Sequence, residues 1–293
     1  MKNSYKLNIF SKNITSKFIL ISAFTLSAFF IPASCYSNTS NNQDISLKNI
    51  VDADGSLNRV SKSGVLRIGA DPNTGLPFIK RQNFGLTYKG FEFDISKYLA
   101  DQLGCKVKII PTNWDNLLSG LENKKYDIVL NTLEKPEDNK QLSKNIGFSK
   151  SYYANSQKIV ISKNSKKIRY LIDLKGKKVG VLNDSIAKVM IAELNKIKHA
   201  GITMVMYTNN QDLFNSLQKK LIDGILTTNS IGAVSCQDEN NNCKQVGISI
   251  FPKNYVIAVR KEDRALLNGI DSIIGEGKKN NSINKILNKW NLQ

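Results

Sequence analysis

The chain alternates between apolar runs and polar stretches in a regular way. A predominantly apolar run spans Phe18 to Ile31, and residues 36–60 are polar, rich in Ser, Asn, Thr, Gln and Asp. This polar stretch is expected to be a tether followed by a weak lead-in helix. Val65–Ala70 is a short, mostly apolar run that ends in the turn signal Asp71-Pro72-Asn73, which predicts a strand. Phe91, Ile95, Leu99 and Leu103 recur at helical spacing and predict a helix over Gly90–Leu103. Lys106–Ile110 predicts a strand. Thr112 or Asn113 is positioned to cap a helix carrying Leu117, Leu118 and Leu121, and Ile128–Leu130 predicts the next strand. This βαβαβ order implies a parallel α/β sheet.

A second run has the same rhythm. Strands are predicted at Lys177–Leu182, Met204–Tyr207 and Asp223–Thr227, with helices at Ser185–Ile197 and Asn210–Lys219 between them. A strand at Tyr255–Val259 and two helices follow, the last carrying Ile283, Ile286, Leu287 and Trp290. The two runs share no clear sequence repeat. Two α/β lobes with a cleft are expected, and ligands in such sheets sit beyond the carboxyl ends of the strands.

Composition agrees with this picture. The 293 residues are 41% hydrophobic and 23% charged, ordinary for a globular protein and enough for two lobes. The net charge is +18, but the lysines are scattered singly and in pairs, without a long basic block or interleaved aromatics. That distribution describes a generally basic surface, and no nucleic-acid partner is expected. Lys2, Lys6, Lys12 and Lys17 precede the first apolar run with no acid among them, the pattern of a secretory signal. The run is shorter than the roughly 20 apolar residues of a transmembrane helix.

Cysteine and histidine usage narrows the chemistry. Cys236 and Cys243 flank a polar loop, and export favours a disulfide between them. Cys35 follows the signal where a lipidated cysteine would lie, although Pro32 stands where an aliphatic residue is usual; ordinary cleavage nearby is the alternative. Cys105 lies in an apolar stretch and is expected to be a buried thiol. His199 is the single histidine, so no zinc site, His-dependent triad or cofactor is expected. Gly275-Glu-Gly-Lys-Lys resembles part of a phosphate loop but is expected between the two C-terminal helices, not after a strand.

Several segments then appear in a familiar order: Leu76-Pro77-Phe78, YKGFEFDISKYLADQLG, PTNWDNLLSGLENKKYDIVLN, FSKSYY, LKGKKVGVLNDS and INKILNKW. Together they make the chain similar to the extracellular solute-binding proteins of family 3, over roughly residues 64–292. The resemblance implies a type II periplasmic-binding-protein fold, two α/β lobes joined by two hinge strands, with crossings near Asn155–Ile161 and Lys253–Ala258. It implies a signal peptide at 1–35, a tether at 36–56, lobe 1 at 57–156 and 256–293, and lobe 2 at 157–255. The implied function is capture of a small polar solute in the periplasm, as a monomer, for delivery to an ABC permease. The protein is not expected to be an enzyme.

The resemblance also places site residues. Trp114 occupies the position of an aromatic pocket wall, a packing tryptophan being the alternative. Asn131, Thr132 and Glu134 occupy the ligand-facing segment after the third strand. Asp184 and Ser185 stand at a helix N-terminus in lobe 2, a place suited to polar atoms, and Thr228 follows the strand that usually ends in an acid. Asp71 and Asn73 add an acid and an amide at the end of the first strand. Two family features are absent. Pro136-Glu137-Asp138 stands where a carboxylate-binding arginine is usual, and Thr227-Thr228-Asn229 where an ammonium-binding acid is usual. A neutral or cationic polar solute fits this set best, with Lys80, Arg81 or Lys140 available to a carboxylate. Two alternatives compete: a sensor or accessory module of a periplasmic redox enzyme, and a lyase on the same fold using Glu134 and Lys140.

Overall fold

The computed structural model describes residues 47, 50–82, 87–135, 144–166, 168–183 and 185–292. Helix α1 (Ser56–Ser63) leads into β1 (Val65–Ala70), the β2 (Lys80–Gln82) and β3 (Thr87–Lys89) hairpin, and α2 (Phe91–Gln102). Then come β4 (Lys106–Pro111), α3 (Leu117–Glu122), β5 (Ile128–Val129), β6 (Ile146–Phe148) and the long β7 (Tyr153–Ser162). The second half contains β8 (Lys178–Leu182), α4 (Ile186–Lys198), β9 (Thr203–Tyr207), α5 (Asn210–Gln218), β10 (Gly224–Thr228) and α6 (Asn229–Gln237). It closes with β11 (Cys243–Tyr255), β12 (Ala258–Arg260), α7 (Arg264–Lys279) and α8 (Ser282–Lys289).

Ten of these strands form two five-stranded sheets, and β2 and β3 form a separate antiparallel pair. The first has the order β4-β1-β5-β12-β6, and the second β11-β7-β10-β8-β9. In the first, β1 pairs in parallel with β4 and β5, and β12 is antiparallel to β5 and β6. In the second, β8 pairs in parallel with β9 and β10, and β7 and β11 add antiparallel strands. Both sheets are therefore mixed, with the expected parallel strands filling one side of each, from an edge to the central strand. The chain passes from the first sheet to the second through β7 and returns through β11, which pair with each other from Tyr153–Tyr255 to Ser162–Cys243. This is the two-lobe α/β architecture expected from the sequence.

Helix α2 shows why the first core forms. Phe91, Ile95, Leu99 and Ala100 are buried with Leu66 and Ile68 of β1 and Ile270, Ile273 and Ile274 of α7. Each of the larger side chains among these contributes about 1.5–3 kcal/mol on burial. The helix can start where it does because Gly90 has φ 142°, and a Cβ there would overlap the Phe78 carbonyl oxygen. Tyr126 is clamped between Gly69 and Gly120, where a Cβ at either would strike its ring, and its hydroxyl donates to the Leu117 carbonyl at 2.5 Å. That packing fixes the end of β1, and with it Asp71.

Two expectations change in the structure. The strand expected at Tyr255–Val259 is split: Tyr255 ends β11, and β12 begins at Ala258. Gly275–Lys279 is not a connection between helices but the last turns of α7. Gly277 serves close packing there, since a Cβ on it would lie 2.8 Å from the Tyr98 hydroxyl. Cys236 and Cys243 form the expected disulfide, and Cys105 is a buried free thiol. The N-terminal signal region with Cys35 lies outside the described residues. Among the described residues no helix is long and apolar enough to cross a membrane.

Candidate functional site

The candidate residues of the first sheet gather at the carboxyl ends of β1, β4 and β5. The Asp71 backbone N–H donates to Asn131 Oδ1 at 2.8 Å. One Asp71 carboxylate oxygen accepts the Asn73 N–H at 2.9 Å, and the other accepts the Trp114 N–H at 3.0 Å. Three loops from three adjacent strands are thus tied into one surface. Each carboxylate oxygen of Asp71 already accepts a backbone N–H, so much of its acceptor capacity organises the loops. Trp114 sits in a single 3-10 turn, half exposed at 50%, an exposure that does not suit a core-packing tryptophan.

Asn131 is fully buried. Its Oδ1 also lies 3.3 Å from the Thr74 hydroxyl, and its amide donates to Glu92 Oε2 at 3.3 Å. Thr132 follows with φ 47°, a left-handed conformation that a β-branched residue rarely adopts. Its N–H donates to Glu92 Oε1 at 2.7 Å, which holds the turn. Glu134 is exposed and forms an isolated bridge with Tyr255 at the end of β11, so it borders the hinge.

Glu92 itself was not foreseen from the sequence. It is fully buried in the first turn of α2, where the helix dipole favours an anion. Burial pushes its pKa up to about 6, and bonds from Tyr152, the Thr132 N–H and Asn131 partly offset this. The Tyr152 hydroxyl donates to Oε1 at 2.5 Å. Burial, with the Glu92 charge beside it, raises the Tyr152 phenol well above its ordinary value. A usable signal existed: Glu92 is on the same helical face as Ile95, Ser96 and Leu99, so a carboxylate lies within the buried stripe.

In the second sheet, Ser185 is the N-cap of α4 at the end of β8, and its hydroxyl donates to the Leu182 carbonyl at 2.7 Å. Thr228 ends β10 and caps α6, its Oγ1 accepting the Ile231 N–H at 3.4 Å and lying 3.1 Å from Ser230 Oγ. Both therefore stand at helix N-termini beside adjacent parallel strands. Asp184, Pro136, Glu137, Asp138 and Lys140 lie outside the described residues. Among the described residues no hydrogen bond joins Asp71, Asn131 or Thr132 to Ser185 or Thr228.

The connection runs through the hinge instead. The buried Asn155 of β7 donates to the Tyr255 hydroxyl at 2.9 Å, and its Oδ1 accepts from the Tyr153 hydroxyl and the Ser230 N–H, each at 3.4 Å. The Asn229 amide donates to the Tyr153 hydroxyl at 3.3 Å. Burial raises both phenols, Tyr255 to about 12. The rings of Phe78, Phe91, Tyr153 and Tyr255 pack at centroid distances of 5.1–6.1 Å. None of these hinge residues was among the expected site residues; the paired tyrosines of FSKSYY were the available signal.

Two α/β lobes, loops at the carboxyl ends of the parallel strands of both sheets and two crossing strands are the architecture of the type II periplasmic binding proteins. The family model for bacterial extracellular solute-binding proteins, family 3, matches residues 66–293, and the chain belongs to that family. The chain is 27% identical over 248 residues to the L-cystine-binding protein TcyJ of Escherichia coli (strain K12), covering 84% of this chain and 89% of that protein. It is 32% identical to an ancestral arginine-binding protein bound to arginine, with a TM-score of 0.51, covering 78% of this chain and 98% of that one. A third likeness is the ancestral amino acid-binding protein AncCDT-1, a precursor of cyclohexadienyl dehydratase. There the identity is 27%, the TM-score 0.54, and the coverage 81% and 100%.

Proposed function

We propose that this protein is the solute-capturing component of an ABC importer. It holds an amino acid or related polar solute between its lobes in the periplasm and presents it, as a monomer, to a membrane permease. Residues 57–156 with 256–293 act as one lobe and 157–255 as the other. The observation that carries this reading is the fusion of three loops at the carboxyl ends of β1, β4 and β5 through Asp71, Asn131 and the Trp114 N–H. Such a rigid surface, with a half-exposed indole and the exposed Glu134 beside it, is suited to a solute bearing an amine. Asn73, Thr132, Ser185 and Thr228 add polar contacts, with Asp184 next to Ser185 in the sequence. Relatives named for binding cystine and arginine support the solute class.

Capture by closure works as a population shift, because only contacts made in the closed state move the balance. The test is a calorimetric titration of the full chain with L-cystine, L-arginine and a panel of polar amino acids and amines. Saturable one-site binding of at least one is expected. A folded protein that binds none of them overturns the reading.

A further inference from the structure

Glu92 touches both ends of the machinery. On one side its carboxylate receives the Thr132 N–H at 2.7 Å and the Asn131 amide at 3.3 Å, both from the loop after β5. On the other it receives the Tyr152 hydroxyl at 2.5 Å. Tyr152 immediately precedes β7, and its own N–H donates to the Tyr255 carbonyl at 3.0 Å, where β11 ends. One buried carboxylate therefore joins the candidate ligand loop to the residue from which the first crossing strand departs.

We propose that Glu92 is the positioning residue of this receptor: it sets the Asn131–Thr132 loop for solute and links that loop to the hinge through Tyr152. This rests on the reading of the cleft as the solute site. Thr132 is the pivot. Its left-handed backbone turns its N–H inward to Glu92. An ionised carboxylate accepts all three donors at once, whereas protonation makes one oxygen a donor, which either meets a donor already there or requires the Tyr152 hydroxyl to turn and accept.

The groups facing Glu92 are few. They are the Tyr152 hydroxyl, the Thr132 N–H, the Asn131 amide, and the Tyr255 phenol, which the Glu92 charge also raises. Among the described residues no lysine or arginine forms an ion pair with it. Acidification through the range near pH 6, where Glu92 takes up its proton, removes the arrangement that holds the loop. Solute affinity falls on the acid side.

The test uses the isotope-labelled full chain and two probes, L-arginine and L-cystine. The Thr132 amide resonance is expected to titrate with a midpoint near pH 6, and Glu92→Gln is expected to abolish that titration. The same variant should weaken the better probe about tenfold and flatten the pH dependence of its binding, the loss appropriate to a charged hydrogen bond. Glu92→Asp should restore the titration in part. Tyr152→Phe should keep the Thr132 titration yet speed hydrogen exchange at Tyr153–Asn155; it decides the matter if Glu92→Gln does not fold. A Thr132 amide indifferent to pH, or a Glu92→Gln protein with unchanged affinity and pH profile, overturns the proposal. If neither probe binds the wild type, the solute is sought in the wider panel, and the Thr132 and hinge amides alone decide the role of Glu92.

Discussion

The Asp71 N–H donates to the Asn131 side-chain oxygen at 2.8 Å, across a sequence separation of 60. Asn131 is fully buried and holds the loops after β1 and β5 in one register. Replacing it with Ala leaves the Asp71 N–H and one Glu92 oxygen without their partner. Asn131→Ala should therefore cost about 1–3 kcal/mol of stability, measured by urea denaturation, and should abolish solute binding.

Trp114 and Glu134 are exposed, and neither carries the core. Substitution of either with Ala should change stability by less than about 0.5 kcal/mol, the usual range for surface positions. Both should nonetheless weaken solute binding in calorimetry. Unchanged affinity in both variants would remove them from the site.

Glu92 gives a pH dependence with a definite sign. Its folded pKa of about 6 lies above the ordinary 4.5, so the folded protein binds this proton more tightly than the unfolded chain. Ionised Glu92 thus opposes folding by about 2 kcal/mol at neutral pH. That cost is relieved progressively as pH falls from above 6 to below 4.5. Relative to Glu92→Gln, the wild type should gain stability on acidification through this window while its affinity for solute falls. Denaturation of both proteins across the window isolates this group from the other carboxylates.

The disulfide should matter to stability and not to capture. Cys243 pairs with Ser162, at the end of the second sheet away from Thr228, which pairs with Gln157. The bond closes a short loop with a sequence separation of 7. Chain entropy assigns such a loop about 2.5 kcal/mol. Serine at both Cys236 and Cys243 should lower the urea midpoint accordingly and leave solute affinity unchanged.

Gly69 is confined by the ring of Tyr126, and a Cβ would come within 2.5 Å of it. Gly69→Ala should destabilise the protein by about 1–3 kcal/mol through overpacking. Because Gly69 precedes Asp71 by two residues, binding should suffer as well, which a parallel titration checks.

Amphipathic periodicity made α2, α4 and α5 legible because each buries one face, and the parallel strands were legible as short apolar runs, of which β5, β8 and β10 are buried on both faces. The long β11 escaped because it is an edge strand with a largely exposed pattern, interrupted by Gly247 and Pro252. Helix α6 escaped because Asn229–Gln237 is short and rich in small residues, with its N-cap hidden in a strand end. The candidate positions on β1 and β5 were legible from their place after the strands. Their wiring was not, because Glu92, Tyr152 and Asn155 join elements 39–100 residues apart. Local patterns cannot register a buried carboxylate whose donors arrive from other loops.

The most direct measurement is the distance across the cleft with and without solute. Spin labels placed through Asn113→Cys and Ile186→Cys, both exposed positions beside the two halves of the candidate site, report it by pulsed electron resonance. Capture between closing lobes predicts that saturating the protein with a calorimetrically identified solute shortens the distance and narrows its distribution. A bound solute that leaves that distance unchanged contradicts the account.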